Sequence, residues 1–302
     1  MSAAAFTLQF DNTSDTTFRA WASAIDTQIL AMGWVHSTDT GQANLATMTR
    51  TTTAGTNYII YKTNDGLTPI FLKIEFVSGG TATTPGFGAS VGWATDGAGH
   101  LTGTLISSVW SCSVFGSQSS DTTSRACIVS GSAGRLALAL NQNATITFNT
   151  IVLSVERSKD ATGADTADAL IFTMAVGGTS NALVVGGTPS SCAQHYIPST
   201  GTSVPSVDLL IPAILSNAAS GSGAYGTTIG AGIPIPLAGS AQNPGTNILA
   251  VLNADYPTGG STATIAVYGT NHTYFSVGSN ITRVIGVGGT VTTLGRLFVR
   301  DD

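Results

Sequence analysis

Ile70-Phe71-Leu72-Lys73-Ile74-Glu75-Phe76 decides the fold class. Successive side chains of a strand point to opposite faces, so Ile70, Leu72, Ile74 and Phe76 share one face while Phe71, Lys73 and Glu75 share the other. Upstream, Tyr58–Lys62 reads as a second strand. The two are joined through Asn64-Asp65-Gly66, a turn signal in which Gly supplies the backbone freedom that Asn and Asp tolerate. Downstream, Phe87, Ala89, Val91 and Trp93 alternate with Gly88, Ser90 and Gly92, and Asp96-Gly97 with Gly99 ends that run. Leu101–Ser107 and Ile146–Val155 read as further strands. The apolar phase slips between Phe148 and Ile151, which predicts a bulge near Asn149–Thr150. Ser158–Ala167 is a polar loop and Leu170–Val176 a return strand.

One segment has a different period. Phe18, Trp21, Ala22, Ile25, Ile29 and Met32 recur every three or four residues, the stripe of an amphipathic helix. Asn12, Thr13, Ser14 and Asp15 supply its cap and first-turn acid, and Gly33 its C-terminal stop. The helix is expected over about residues 14–32. Its polar face holds one basic residue, Arg19, which argues against a membrane-surface helix.

The second half is unlike the first. Between Asp168 and Arg283 the only charged residues are Asp208 and Asp255, and no lysine or arginine occurs. From about residue 177 to 244 the chain is rich in Gly, Ser and Pro and is expected to form long ordered loops. Ile233-Pro234-Ile235-Pro236 cannot occupy a central strand. Strands resume at Asn247–Leu252, Thr262–Tyr268, Ile281–Ile285 and Arg296–Val299. The expected fold is mainly β. It is a sandwich-like antiparallel core with the single N-terminal helix packed on it and long loops in the second half. We expect one large β-rich domain over 1–302, with 1–176 and 177–302 as the alternative division.

Charged residues make up 9% of the 302, against about 25% in an average soluble chain. Charge keeps free proteins apart in solution, so a surface of Thr, Ser, Gly and Asn suits a protein covered by copies of itself or by neighbours. Net charge is −5 with no basic patch, which excludes nucleic acid as the expected partner. Every apolar stretch is interrupted before the roughly 18–20 residues that span a bilayer, so no membrane insertion is expected. The start, MSAAAFTLQF, lacks the features of a signal peptide. Cys112, Cys127 and Cys192 are an odd number and are read as thiols behaving as small apolar residues, with a Cys112–Cys127 bridge as the alternative.

The apparent catalytic motifs lack their structural context. Gly88-Ala89-Ser90-Val91-Gly92 matches G-x-S-x-G, but a nucleophile elbow needs a helix after the serine and the alternation runs straight on. Gly221–Gly226 matches G-x-G-x-x-G, but no helix can follow it and no acid stands some 20 residues on. Cys192 and His195 are two metal-type ligands where a zinc site needs three or four. His36 with Asp39 reads as a turn-stabilising pair. Asp65, Glu75, Asp96, Asp208 and Asp255 are available carboxylates without a catalytic pattern, and the turns explain Asp65 and Asp96. No catalytic, cofactor or metal residue is expected, and the chain is expected not to be an enzyme. Tyr225 and Tyr256 are the candidate contacts for a partner or a glycan.

Trp34-Val35-His36-Ser37-Thr38-Asp39-Thr40-Gly41-Gln42 follows the helix. Then come the Tyr58–Tyr61 strand, Asn64-Asp65, Pro69-Ile70 through Phe76, and Val91-Gly92 through Asp96-Gly97-Ala98-Gly99 to Leu101-Thr102-Gly103. This succession resembles a family of tailed-bacteriophage virion structural proteins. Its members open with a short strand and a helix, then carry a DTGQ segment, a PIFLKIEF-like strand and a Gly-rich stretch ending in LTG. The resemblance covers about residues 5–105, together with Glu156–Asp165, and fades beyond. It implies a virion component of the tail, baseplate or fibre region, made in the host cytoplasm, whose partners are its own copies and neighbouring virion proteins. A capsid decoration or cement protein is the first alternative. A host-receptor or glycan-binding module is the second, and a hydrolase the third. The resembling motifs are turns and strands, so they carry over no functional residue.

Overall fold

The computed structural model describes residues 2–9, 13–51, 53, 55–79, 84–110, 125–141, 150–159, 164–176, 193–196, 203–204, 233–236, 245–252, 262–267, 270–285 and 290–300. Among the described residues the fold is mainly β, with a single helix near the N-terminus. The strands are β1 (Ser2–Leu8), β2 (Val35–His36), β3 (Tyr58–Lys62), β4 (Phe71–Gly79), β5 (Thr84–Thr95) and β6 (Leu101–Trp110). There follow β7 (Arg125–Ser132), β8 (Arg135–Asn141), β9 (Thr150–Lys159), β10 (Asp165–Val176), β11 (Ala193–Tyr196) and β12 (Ser203–Val204). The last five are β13 (Ile233–Pro236), β14 (Gly245–Leu252), β15 (Thr262–Val267), β16 (Thr270–Ile285) and β17 (Thr290–Arg300).

Helix α1 covers Asp15–Ala31. Ser14 caps it, with its Oγ accepting from the Thr17 backbone N–H at 3.1 Å while Thr17 Oγ1 accepts from the Ser14 N–H at 3.2 Å. Two otherwise unpaired donors of the first turn are thus satisfied reciprocally. Gly33 follows the helix at φ +91°, a left-handed conformation that favours glycine.

Among the described residues the strands form three antiparallel sheets. One has the order β2-β3-β4-β5-β6, a second β1-β7-β8-β9-β10-β11-β12, and a third β13-β14-β17-β16-β15. The register pairs Ile59 with Ile74 and Ile74 with Ala89, and Tyr61 with Leu72 and Leu72 with Val91. These residues therefore share one face. Leu136, Leu138, Leu140, Leu153, Val155 and Ile171 line the facing side of the seven-stranded sheet. Phe18, Trp21, Ala22, Ile25 and Ile29 of α1 enter the same core, all at most 1% exposed. Each of the larger side chains so removed from water contributes about 1.5–3 kcal/mol before its entropy cost. Trp21 meets Phe76 edge-on, with ring centroids 5.3 Å apart.

The other face of the seven-stranded sheet is also buried, and there Ile128 and Leu170 stand among small and polar side chains: Ser130, Ala137, Ala139, Ser154, Glu156 and Ser158. Strands β14, β16 and β17 approach β7, β8 and β9 there, and Ser130 Oγ donates to the Arg300 carbonyl.

The structure extends several sequence expectations. Asp165–Ala167 belongs to β10 and Ser158-Lys159 to β9, so the polar loop between them is shorter than expected. Among the described residues Ile233–Pro236 is a strand at the end of its sheet, a position that tolerates proline because one side of the strand has no ladder to lose. The seven-stranded sheet runs across residue 176, because β10 pairs with β11, Ile171 opposite Tyr196. Most of 177–244 and the expected bulge at Asn149 lie outside the described residues.

Candidate functional site

Polar side chains gather at three places around β3, and each starts from a carboxylate. The first follows the strand's C-terminal end. Asp65 sits in the β3–β4 turn, and Arg157 reaches it from β9 of the other sheet. Arg157 Nε donates to Asp65 Oδ2 at 2.8 Å and Nη2 to Oδ1 at 2.9 Å, a bidentate pair. Nη2 also lies 2.8 Å from the Thr68 carbonyl and 3.1 Å from Thr63 Oγ1, and Nη1 donates to the Ala167 carbonyl at 2.8 Å. The guanidinium side chain is 0% exposed and the carboxylate 18%. Burial pushes the Asp65 carboxyl up, and the Arg157 hydrogen bonds and charge outweigh it, leaving it below the usual carboxylate range. Gly134 is required beneath this pair, since a Cβ there would lie 2.2 Å from Asp65 Oδ2. Asn64 N–H donates to the Ala133 carbonyl at 2.8 Å, and Trp34 Nε1 to the Ser132 and Arg135 carbonyls at 3.1 Å each. The two sheets are clasped at this end.

The second place lies at the Tyr58 end. Asp39 accepts from Thr95 Oγ1 at 3.0 Å and from the Gly99 N–H at 3.4 Å. Burial raises the Asp39 carboxyl, and the Ser37 and Thr95 hydroxyls with the Gly99 and Gly97 amides outweigh it, so it too titrates below the ordinary range. Thr40 N–H donates to the Gly97 carbonyl at 2.9 Å. Lys73 Nζ donates to the Gly99 carbonyl at 3.0 Å and sits 4.0 Å from the Tyr58 ring centroid. Asp96 caps the next turn. Its Oδ1 accepts from the Ala98 N–H at 2.8 Å and the His100 N–H at 3.1 Å, and its Oδ2 lies 2.7 Å from His100 Nδ1. The His100 and Ala98 amides hold its carboxyl down to about 2.

The third place is a cleft. Asp26 of α1 accepts on Oδ1 from the Tyr61 hydroxyl at 2.8 Å, and His36 Nε2 lies 2.6 Å from the same oxygen. His36 and Tyr61 are opposite one another in the β2–β3 register, with rings 5.4 Å apart. Burial first, then the Asp26 charge and hydrogen bond, push the Tyr61 phenol well above its ordinary value, so it remains a donor. Beside this trio opens a cleft of about 410 Å³ lined by Asp26, His36, Asn44, Leu45, Ile59 and their neighbours.

The structure corrects one expected pair: His36 bonds Asp26, ten residues back on the helix, and Asp39 turns instead to Thr95 and Gly99. Asp65 does more than serve its turn, because the cation that claims it lies 92 residues away in sequence. Ser90 stands inside β5, opposite Lys73 and Ser107, with β6 and not a helix following. Glu75 accepts from the Gly55 N–H at 3.1 Å and lies 3.6 Å from Lys73 Nζ. Cys127 is buried in β7. His195 is opposite Val204 in the β11–β12 ladder. Tyr225, Tyr256, Asp208, Asp255, Cys112, Cys192 and the Gly221–Gly226 motif lie outside the described residues. Among the described residues, no group of three or more His, Cys, Asp and Glu could hold a metal ion, and no helix is long and apolar enough to cross a membrane. No known family, curated protein or solved structure matches the chain.

Proposed function

We propose that this chain is a structural component of a tailed-bacteriophage virion, present in many copies in the tail, baseplate or fibre region. One observation carries the reading: the chain has few charges, and several of those among the described residues hold its own loops and strands in place. Arg157 grips Asp65, Arg135 lies 2.7 Å from Asp165, and Arg50 lies 3.1 Å from Asp15. Arg19 Nε donates to the Met48 carbonyl at 2.7 Å, and Lys73 is held by Gly99 and Glu75. Little charge is left to keep neighbouring molecules apart, and residues 169–282 have only two charged side chains.

Neutral surface is inexpensive to bury between subunits, because no ion loses its hydration. A permanent assembly interface of this kind buries roughly 2,000 Å² or more. The succession of motifs from the helix to Gly103 supports the phage assignment. In this reading the chain needs no cofactor and is not an enzyme.

Immunogold electron microscopy of purified particles, with antibody raised against the recombinant chain, tests it. Label at the tail or its tip is expected. Label spread over the head would move the chain to capsid decoration. No label on intact or disrupted particles, with an antibody validated on the recombinant chain, would overturn the virion assignment.

A further inference from the structure

We infer that the cleft between α1 and β2–β3 is a binding site for a neutral saccharide, engaged through His36 and Asn44. This goes beyond the assembly reading and does not depend on it. Asp26 Oδ1 accepts from Tyr61, and an ionised carboxylate can only accept, so the proton in the 2.6 Å contact sits on His36 Nε2. In the neutral ring this leaves Nδ1 as an acceptor. Nδ1 makes no hydrogen bond among the described residues, and the imidazole is 42% exposed at the cleft. Asn44 accepts from the Ala46 N–H on Oδ1 at 3.0 Å, so its Nδ2 is left to donate. Asp26 Oδ2 is a second open acceptor. Ala43, Leu45 and Ile59 add an apolar lining.

This set of groups selects its ligand. No lysine or arginine lines the cleft and Asp26 is negative, so a phosphate or carboxylate would be repelled. Asp26 and His36 are too few to hold a metal ion. An apolar compound would strand Asp26 Oδ2 and His36 Nδ1 without water or a partner, which disfavours it. A sugar has adjacent hydroxyls that donate to Nδ1 and Oδ2 and accept from Nδ2, and a C–H face for Leu45. At about 410 Å³ the cleft falls within the roughly 300–1,000 Å³ of small-ligand sites.

The test is saturation-transfer NMR on the full chain with methyl glycosides of glucose, galactose, mannose and N-acetylglucosamine, and with glycerol as the acyclic polyol. At least one glycoside is expected to saturate with a Kd of order 1–10 mM, equivalent to about 3–4 kcal/mol. Asn44→Asp keeps the acceptor for Ala46 and removes the donor, and His36→Gln keeps an N–H for Asp26 and removes Nδ1. Each is expected to weaken binding at least tenfold with the circular dichroism spectrum unchanged. If His36→Gln does not fold, Asn44→Asp decides alone. The inference is overturned if no glycoside saturates below about 50 mM, if glycerol binds as tightly as the glycosides, or if Asn44→Asp binds like the parent.

Discussion

The two ends of β3 are both fastened by an aspartate, and by opposite means. Beyond the Lys62 end, Asp65 is held by a fully buried guanidinium from another sheet. At the Tyr58 end, Asp39 is held by hydroxyls and backbone amides, with no cation paired to it among the described residues. The difference follows from distance along the chain. The Asp39 loop and the Gly97–Gly99 turn flank strands of one sheet, so the backbone already brings N–H groups to the carboxylate. Asp65 must hold a strand of the opposite sheet, where a long side chain with five donors spans the gap and ties down a hydroxyl and two carbonyls besides. The clasp end is therefore vulnerable to losing a charge, and the corner end to gaining an atom.

The largest expected effect breaks the clasp, and the two partners are not equivalent. Asp65→Ala leaves Arg157 buried without a counter-ion and should cost about 3–5 kcal/mol. Arg157→Met removes the buried charge and keeps an apolar stem, while Asp65 can still turn toward water, so it should cost less. The double variant should be more stable than Asp65→Ala alone, with a coupling of about 1 kcal/mol or more. Urea denaturation of the four proteins measures this. An Asp65→Ala protein no weaker than Arg157→Met would mean that the guanidinium finds other partners and that the sheets are joined mainly by their apolar core.

At the corner, two neighbouring glycines separate backbone strain from collision. Both Gly97 and Gly99 have positive φ, +77° and +96°. A Cβ on Gly97 meets nothing within 4 Å, whereas one on Gly99 would lie 1.8 Å from Tyr58 Oη and 2.6 Å from its Cζ. Gly97→Ala should cost only the left-handed penalty, about 1–2 kcal/mol. Gly99→Ala must also displace the ring under Lys73, adding about 1–3 kcal/mol. Thermal or urea melts that give equal losses would show that Tyr58 moves aside freely and does not brace the corner.

These pairs also explain what could be read in the sequence. The helix and the β4 strand were legible because each keeps its buried apolar residues on one face and mostly polar residues on the other, so their periods appear directly in the residue order. Strand β8, Arg135–Asn141, was not, because Ala137 and Ala139 are as buried as Leu136, Leu138 and Leu140. A strand covered on both sides has no polar alternation. The turn chemistry of Asn64-Asp65-Gly66 was legible, and the grip of Arg157 was not, since nothing local links positions 65 and 157. The cleft was hidden in the same way. His36 and Asp39 stand close in sequence and suggest a pair, yet the helix brings Asp26 to His36 instead. The Asp-Gly and Gly-x-Gly spacing of the corner was visible as turns, but not the aromatic ring that makes Gly99 obligatory.

The smallest expected effect concerns the Asp96 turn, the exposed counterpart of Asp39. The His100 and Ala98 amides hold its carboxyl at about 2, below the ordinary 3.8. A carboxyl depressed in the folded state binds its proton more readily when unfolded. Its contribution is therefore complete above about pH 3.8 and fades as pH falls through about 2. Asp96→Asn keeps one oxygen for those amides and abolishes the titration. The gap in stability between parent and variant should thus be widest above pH 4 and narrow steadily toward pH 2. Asp65 and Asp39 are depressed as well, so both proteins should lose stability over acid pH. Only the difference between them reports Asp96. Urea midpoints at half-unit steps from pH 2 to 5 read it directly. A difference that stays constant over that range would mean that the Ala98 and His100 amides bind the amide oxygen of asparagine as well as the carboxylate, so that the charge at this turn adds nothing.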